Sequence, residues 1–207
     1  MTNSRPTGLF ATSYLPSVEY VRAMLRYPDL LIEATESYPK QTFRNRCSIP
    51  TSNGVLQLVV PVVKTAGNHT LTRDIGISYS EPWNVRHWRA ITAAYNASPF
   101  FLYYRDGLEE ILMQRHEHLI GLNTKLLQQI FRWIKVTKKL HFTEDFVPPN
   151  NDNDDHRMLG LKKEPTGDIP RYSQVFDSKN GFVPNISIID TIFNLGPETL
   201  DYLNSIP

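Results

Sequence analysis

Residues 9–34 read LFATSYLPSVEYVRAMLRYPDLLIEA and show the pattern of a strand, a helix and a second strand. The apolar run Leu9–Tyr14 predicts the first strand. Pro16-Ser17 opens a helix that extends to about Arg26, because apolar residues recur there at helical spacing. The short apolar run Leu30–Ala34 predicts the second strand. A strand–helix–strand unit places two parallel strands side by side, which is typical of α/β folds.

A β-hairpin follows this unit. Phe43–Ile49 and Val55–Val63 read as two strands, and Ser52-Asn53-Gly54 between them supplies the turn, since Asn and Gly tolerate positive φ. Leu71–Ser78 predicts a further strand from a moderate alternation of apolar residues.

Helical patterns dominate the rest of the chain. One helix is expected from Ser80 to about Ala97, helical character from about 107 to 135 with a weak point at Gly121, and a last long helix over 186–195. The predicted fold class is therefore α/β: a mixed sheet with an N-terminal strand-helix-strand unit, a β-hairpin and a helical C-terminal half.

Composition limits the classes of function. The chain has 207 residues and a formal net charge of +1, which predicts a single domain over 1–207 and gives no electrostatic case for nucleic acid. Pro148-Pro149 and the polar stretch behind them predict a mobile loop at 148–170. Cys47 is the only cysteine, and neither a secretory signal nor a membrane-spanning run is visible, so we expect a cytoplasmic protein without membrane insertion.

The stretch Lys40-Gln41-Thr42-Phe43-Arg44-Asn45-Arg46 carries three cations within seven residues. Side chains alternate along a strand, so Lys40, Thr42, Arg44 and Arg46 are expected on one face. Such a face either holds an anion, for which the Arg fork is suited, or is the solvated outer face of an edge strand. The sequence leaves both interpretations open.

Two further side chains are candidates for acid–base chemistry. His87 shares a helix face with Trp83 and reads either as a base or as a hydrogen-bonded core histidine. Asp190 and Asn194 share one face of an otherwise apolar helix, so they need polar partners, and the Arg cluster is the obvious candidate.

Cys47 reads as a buried hydrophobe rather than a nucleophile. No metal site is predicted, because neither the acidic loop nor His116 and His118 has a ligand spacing that fits.

Several segments together resemble the WbqC-like family, and the resemblance covers nearly the whole chain. They are Ser13-Tyr14-Leu15-Pro16 with Glu19-Tyr20, Lys40-Gln41 through Asn45-Arg46, Val60-Pro61-Val62, Tyr79-Ser80 through Trp83, His87-Trp88, Ala94-Tyr95 with Pro99-Phe100-Phe101, and Gly181 to Pro197. The resemblance implies a cytoplasmic bacterial protein in the context of surface polysaccharide, including O-antigen. For one branch it implies a transferase that attaches glycine to a sugar. That branch begins its first loop with Gln-Pro-Tyr, whereas this chain has Thr12-Ser13-Tyr14.

Two hypotheses follow. In the first, the protein is an acyl- or aminoacyl-type transferase acting on a sugar or nucleotide-sugar, and its first loop, basic strand and helix 80–97 meet at one pocket. Its base is His87 or Asp190, and its substrate contacts are Tyr14, Lys40, Gln41, Arg44, Asn45, Arg46, Trp83 and Asn194. In the second, it is a non-catalytic binding or scaffold protein that presents Phe100-Phe101 and Tyr103-Tyr104 to a partner. The substrate in the first hypothesis carries a phosphate or carboxylate. The sequence names no cofactor and no oligomeric state.

Overall fold

A computed structural model describes residues 7–39, 42–148, 154–160 and 168–207. In chain order its strands and helices are β1 Thr7–Ala11, α1 Val18–Leu25, β2 Asp29–Glu33, β3 Arg46–Thr51, β4 Gly54–Val59, β5 Val62–Val63, β6 Gly76–Ile77, α2 Trp83–Tyr95, α3 Phe101–Met113, α4 Leu119–Trp133, β7 Lys139–Phe142, α5 Asp177–Asn180, α6 Ile188–Leu195 and α7 Thr199–Ser205. Short 3₁₀ turns cover Gly67–His69, Thr72–Asp74, Arg157–Gly160 and Gly196–Glu198. The predicted α/β class is confirmed.

The N-terminal unit forms the predicted parallel pair. β1 and β2 run parallel with Leu9 opposite Leu31, and α1 connects them. The Ser17 hydroxyl accepts the N–H of Tyr20 and so begins α1 as an N-cap. β7 pairs in parallel with the other edge of β2 and completes a three-stranded sheet in the order β1-β2-β7. The sequence analysis missed β7, a four-residue strand whose side chains are mostly exposed.

The hairpin forms, but its first strand starts later than predicted. β3 and β4 are antiparallel, with Arg46 opposite Val59 and Thr51 opposite Gly54. Gly54 has a φ of +99°, which a side chain would strain, so the turn depends on glycine. Residues 42–45 form a turn rather than strand, and Leu71–Ser78 contributes only the two-residue β6.

The helical part follows the predicted pattern with one shifted boundary. α2 and α6 lie inside their predicted ranges, and the 107–135 segment belongs to two helices, α3 and α4. The break between the two helices lies at 114–118 rather than at Gly121. Gly121 lies inside α4, where a Cβ atom would have open space around it. α6 ends at Gly196, whose φ is +56°.

One cluster of buried side chains joins the sheet to the helices. It includes Phe10 of β1, Ile130 of α4 and Phe193 of α6, each fully buried. Phe193 packs edge-on against both Tyr95 and Phe101. No helix in the described ranges is long and apolar enough to cross a membrane.

The predicted mobile loop at 148–170 lies largely outside the described residues. The described piece, residues 154–160, runs beside β1. The Leu9 N–H donates to the Asp154 carbonyl at 2.8 Å, and the His156 N–H donates to the Leu9 carbonyl at 2.8 Å. This piece therefore adds a backbone connection along the outer edge of the parallel sheet.

Candidate functional site

The first loop, residues 12–17, is attached to two distant parts of the chain. The Tyr14 N–H donates to the Phe43 carbonyl at 3.0 Å. Ser17 and Ser187 form an antiparallel bridge, and the Ser187 N–H donates to the Ser48 carbonyl at 3.0 Å. These bonds bring the carboxyl end of β1, strand β3 and the start of α6 to one place. In open α/β sheets, ligands bind near the carboxyl ends of the parallel strands.

The amino ends of α1 and α6 meet at this place, and the residues just before each helix provide hydrogen-bond acceptors for backbone N–H groups at the start of the other. The Val18 N–H donates to the Ile186 carbonyl at 3.1 Å, the Glu19 N–H donates to Asn185 Oδ1 at 2.9 Å, and the Ile188 N–H donates to the first loop. A helix terminus binds an anion through free N–H groups. Because Val18, Glu19 and Ile188 already donate to protein oxygens, these three N–H groups are not free to bind an anion.

A cavity of about 270 Å³, here called the first-loop cavity, opens beside this junction. Two of its lining residues have positive φ, Leu15 at +43° and Asn185 at +52°. This backbone conformation is unfavourable for a bulky residue such as leucine and is retained mainly where function or packing requires it. The lining residues are Leu15, Ser17, Glu19, Phe43, Cys47, Ser48, Val55, Met158, Leu159, Pro184, Asn185, Ile186 and Ser187.

The polar groups of the first-loop cavity keep unused hydrogen-bonding capacity of both kinds. The Ser48 hydroxyl has no partner among the described residues. The Ser187 hydroxyl donates to the Leu15 carbonyl at 2.9 Å, which leaves its oxygen free to accept. Asn185 donates one side-chain N–H to Glu19 at 3.0 Å and keeps the second. Hydrogen-bond donors and acceptors thus both line one opening, and none of the described lining residues is a Lys or Arg.

Cys47 lines the same cavity but is not an activated nucleophile. It is 2% exposed, and burial raises the pKa of its thiol. A thiol that stays protonated at neutral pH is a poor nucleophile. The structure agrees with the interpretation of Cys47 as a small buried hydrophobe.

His87 lies in a buried aromatic group with Tyr14 and Trp83. The Tyr14 hydroxyl and His87 Nδ1 are 2.9 Å apart, and the rings of Trp83 and His87 have centroids 5.1 Å apart. Burial lowers the pKa of His87 to about 4, although a hydrogen bond with the backbone of Val59 acts to raise it. A neutral imidazole can accept a hydrogen bond from the Tyr14 hydroxyl at Nδ1, so the geometry is that of a hydrogen-bonded core histidine.

Asp190 lies in a separate buried network on α6. The Tyr172 hydroxyl donates to Asp190 Oδ2 at 2.5 Å, and Gln174 Nε2 donates to the same oxygen at 2.9 Å. The expected partnership with the Arg cluster is wrong, because residues 172–174 reach Asp190 instead. Asn194 donates to the Asp190 backbone carbonyl at 2.8 Å, a bond within the helix.

Burial controls the ionisation of Asp190. It raises the pKa of the carboxyl group to about 6, although the hydrogen bonds from Tyr172, Gln174 and Tyr95 act to lower it. The Tyr95 hydroxyl and Asp190 Oδ1 have no partner of good hydrogen-bond geometry in the described residues. The network therefore contains one acceptor and one donor that are incompletely satisfied.

Within its described residues, 42–46, the basic stretch does not form the one-sided strand face that was predicted. Arg44 lies in the turn before β3, is 2% exposed, and binds Glu36 Oε1 through Nε at 2.9 Å and Nη2 at 2.6 Å. Asn45 is also buried and donates to the Val60 carbonyl at 2.8 Å. Arg46, the first residue of β3, is half-buried and reaches Gln57 on β4 at 3.3 Å. The turn breaks the alternation because only Arg46 of this group has strand geometry.

A second buried ionic group at the ends of the parallel strands was missed. Glu33, at the end of β2, is fully buried and accepts from Thr35 and Thr143. Arg157 donates to Glu33 at 3.4 Å and to Asp155 through two side-chain nitrogens. Burial acts to raise the pKa of Glu33, but the hydrogen bonds from Thr35 and Thr143 lower it overall. A carboxylate at the end of an apolar strand was the available signal.

The predicted site residues thus fall into three groups. Tyr14, Trp83 and His87 are together, Asp190 and Asn194 are together, and Arg44, Asn45 and Arg46 lie around the start of β3. The first loop does meet helix α2, but through a buried contact rather than an open pocket. None of the described members lines the first-loop cavity. Lys40 and Gln41 lie outside the described residues.

No metal centre stands out in the described ranges. There, no group of three or more His, Cys, Asp or Glu side chains is arranged to hold an ion.

Comparison with known proteins agrees with the resemblance in the sequence. The sequence model of the WbqC-like protein family matches residues 12–168. Uncharacterized protein Rv1507c of Mycobacterium tuberculosis (strain ATCC 25618 / H37Rv) is 26% identical over 228 aligned residues, which cover 96% of this chain and 97% of that protein. No solved structure shows a significant match.

Proposed function

The chain belongs to the WbqC-like protein family, and we propose that it is a transferase of bacterial surface-polysaccharide biosynthesis. The proposed reaction attaches glycine, or another acyl or aminoacyl group, to a sugar or nucleotide-sugar in the cytoplasm. The polysaccharide context that the family resemblance implies supports the pathway. The lining of the first-loop cavity supports the class of substrate.

The observation that carries the proposal is the mixture of groups around the first-loop cavity. A sugar ring presents hydroxyls that both donate and accept, together with an apolar C–H face. Ser48 and Asn185 offer unused polar groups, and Phe43, Val55 and Met158 offer apolar surface. Pockets for drug-sized ligands are about 300–1,000 Å³. A cavity of about 270 Å³ suits one monosaccharide unit rather than a long glycan.

The proposed substrate carries an anionic group. Among the described residues, Arg44 and Arg46 are the candidates for binding it. The catalytic roles of His87 and Asp190 stay predictions. Both are buried, at 6% and 0% exposure, and neither lines the first-loop cavity. A base needs to reach the proton that it removes. Either residue would therefore act only after the surrounding side chains open a path.

A thermal-shift experiment tests the substrate class. The full chain is heated with free sugars, nucleotide-sugars, glycine and other amino acids, because a ligand that binds the native state raises the melting temperature. Ser48→Ala removes a hydroxyl that has no described partner, so the variant should fold normally and show a smaller shift. Ser52→Ala, the same change in the exposed hairpin turn, is the control. If no sugar or nucleotide-sugar produces a shift that Ser48→Ala reduces, the cavity is not the sugar site.

A non-catalytic binding or scaffold protein is the second candidate function, and one observation favours it. Leu102 and Tyr103 are adjacent on α3 and are 67% and 80% exposed. Their neighbour Phe101 is fully buried, which reduces the aromatic surface expected from the sequence. A protein that shows no shift with any small molecule, but loses a polysaccharide-pathway partner on Tyr103→Ser, would be a scaffold.

A further inference from the structure

The Tyr38 side chain is buried with an unsatisfied hydroxyl. It is 5% exposed, and the hydroxyl has no hydrogen-bond partner in the described ranges. The Lys64 ammonium lies 5.0 Å from the centre of the Tyr38 ring and donates to the Tyr38 carbonyl at 3.3 Å. A buried polar group without a hydrogen-bond partner destabilises the folded state. Such groups in native proteins commonly mark a place where water, an ion or a ligand binds.

Two guanidinium groups near Tyr38 also have unsatisfied donors. Arg44 uses Nε and Nη2 on a single oxygen of Glu36, and its buried Nη1 has no partner within the described part of the chain. Arg46 uses Nη1 on Gln57, while its Nε is buried and equally unpaired there. Glu36 is only two residues before Tyr38, so the ion pair holds the Arg44 head beside this segment.

The hydroxyl of Tyr38 is a donor at any physiological pH. Burial raises its pKa to about 12, although the charges of Arg44 and Arg46 act to lower it. The Glu36 carboxylate holds Arg44 beside this segment, and Arg46 follows Arg44 by two residues at the start of β3. All three unsatisfied atoms are therefore hydrogen-bond donors.

The local charge points to an anion. Three cations, Arg44, Arg46 and Lys64, lie in this part of the fold, and Glu36 is the carboxylate that pairs with Arg44. The group thus carries two more positive than negative charges. A metal ion is repelled by such a group, and a neutral ligand leaves the charge uncompensated. An anion that only accepts hydrogen bonds fits both the charge and the free donors.

We propose that Tyr38, Arg44, Arg46 and Lys64 form an oxyanion site that binds a phosphoryl group. A phosphoryl group carries about two negative charges and presents three acceptor oxygens in different directions. That number matches three donors on separate side chains, whereas a carboxylate offers one charge and two coplanar oxygens. Identifying this group with the phosphate of a nucleotide-sugar rests on the proposed function; the binding of phosphate does not.

Calorimetric titration of the full chain with inorganic phosphate and with pyrophosphate, at constant ionic strength, tests the site. Tyr38→Phe removes only a buried, unpaired hydroxyl, so the melting temperature of the free chain should stay the same or rise, while the phosphate affinity falls about tenfold or more. Arg46→Ala should also weaken binding strongly. Tyr95→Phe is the control, because Tyr95 is also a buried tyrosine but its hydroxyl lies in the Asp190 network, away from the cationic group.

Three results would overturn the inference. The wild-type chain could fail to bind phosphate and pyrophosphate, or Tyr38→Phe could bind them as tightly as the wild type. Acetate could also bind as tightly as phosphate, which would remove the phosphoryl assignment. The proposed function fails separately, in the thermal-shift experiment with uncharged sugars. A chain that binds phosphate but no sugar keeps this site and loses the sugar-transferase proposal.

Discussion

Replacing Asp190 by Asn should make the protein more stable at neutral pH. Asp190 is fully buried, and burial raises the pKa of its carboxyl group from an ordinary 3.8 to about 6. The native state therefore holds its proton more tightly than the unfolded state. This contribution to stability is complete below pH 4 and is lost as the pH rises through 6.

The size of the effect follows from the difference in pKa. A difference of about two units at about 1.4 kcal/mol per unit gives about 3 kcal/mol between pH 4 and pH 7. Asn keeps the geometry without the charge. Its oxygen can accept from Tyr172 and Gln174, and its amide nitrogen then occupies the place of Oδ1 and can donate to the Tyr95 hydroxyl.

His87 makes a comparison between variants necessary. Burial lowers its pKa to about 4 from an ordinary 6.5, so its contribution to stability is lost as the pH falls through the same window. The pH-dependent contributions of His87 and Asp190 to the free energy of unfolding have opposite signs and similar sizes. The wild-type profile alone would therefore hide both of them.

Urea unfolding of the wild type and Asp190→Asn at pH 4.5, 5.5, 6.5 and 7.5 measures the difference. The variant should gain on the wild type by about 2 kcal/mol across this range, because the rest of the full change of about 3 kcal/mol lies below pH 4.5. Asp201→Asn, the same change at an exposed position of α7, supplies the baseline. A difference that does not vary with pH, or a variant that is less stable at pH 7.5, would refute the reasoning. Transferase activity retained in Asp190→Asn would also remove Asp190 as the base.

Three more predictions concern the stability of His87 and Arg44 variants and the reactivity of Cys47. His87→Gln should change the stability difference from the wild type by about 3 kcal/mol in the opposite direction between pH 4 and 7, and a flat difference would contradict the lowered pKa. Arg44→Met should lower the free energy of unfolding by about 3–5 kcal/mol because it leaves Glu36 without its partner; the double variant Arg44→Met/Glu36→Gln should recover part of this, and no recovery would argue against the ion pair. Cys47 should be alkylated by iodoacetamide far more slowly in the native chain than in urea, because its thiol is buried with a raised pKa; equal rates by mass spectrometry would contradict this.

Local patterns were sufficient for most of the fold. The strand–helix–strand unit, the hairpin with its Asn53-Gly54 turn and the helix before Gly196 all formed, although the bounds of several strands differ from the predicted ones by a few residues. Each of these depends on interactions between residues close in sequence, such as a cap, a turn or one apolar face. β7 was missed because Lys139–Phe142 carries little apolar pattern of its own. It becomes a strand by pairing with β2, which is more than a hundred residues away in sequence.

The candidate sites were harder to predict because long-range contacts decide them. Asp190 was expected to meet the Arg cluster, but Tyr172 and Gln174 occupy its carboxylate. Arg44 and Arg46 were expected on one strand face, yet Arg44 lies in the turn at 42–45 and only Arg46 lies in the strand. Tyr38 gave no signal at all in the sequence, since an unsatisfied hydroxyl is visible only when its surroundings are known.

By itself, the sequence determined the family, the α/β class and the side chains with unusual chemical capacity. Family and class are carried by many residues at once, so errors at single positions do not matter. The tertiary structure alone decided which of these side chains already bind a partner within the protein. Arg44 is paired with Glu36, His87 holds Tyr14, and the Ser48 hydroxyl faces a cavity built from three distant segments. Hydrogen bonds and ion pairs act over only a few ångströms, so their partners depend on how the chain folds back on itself.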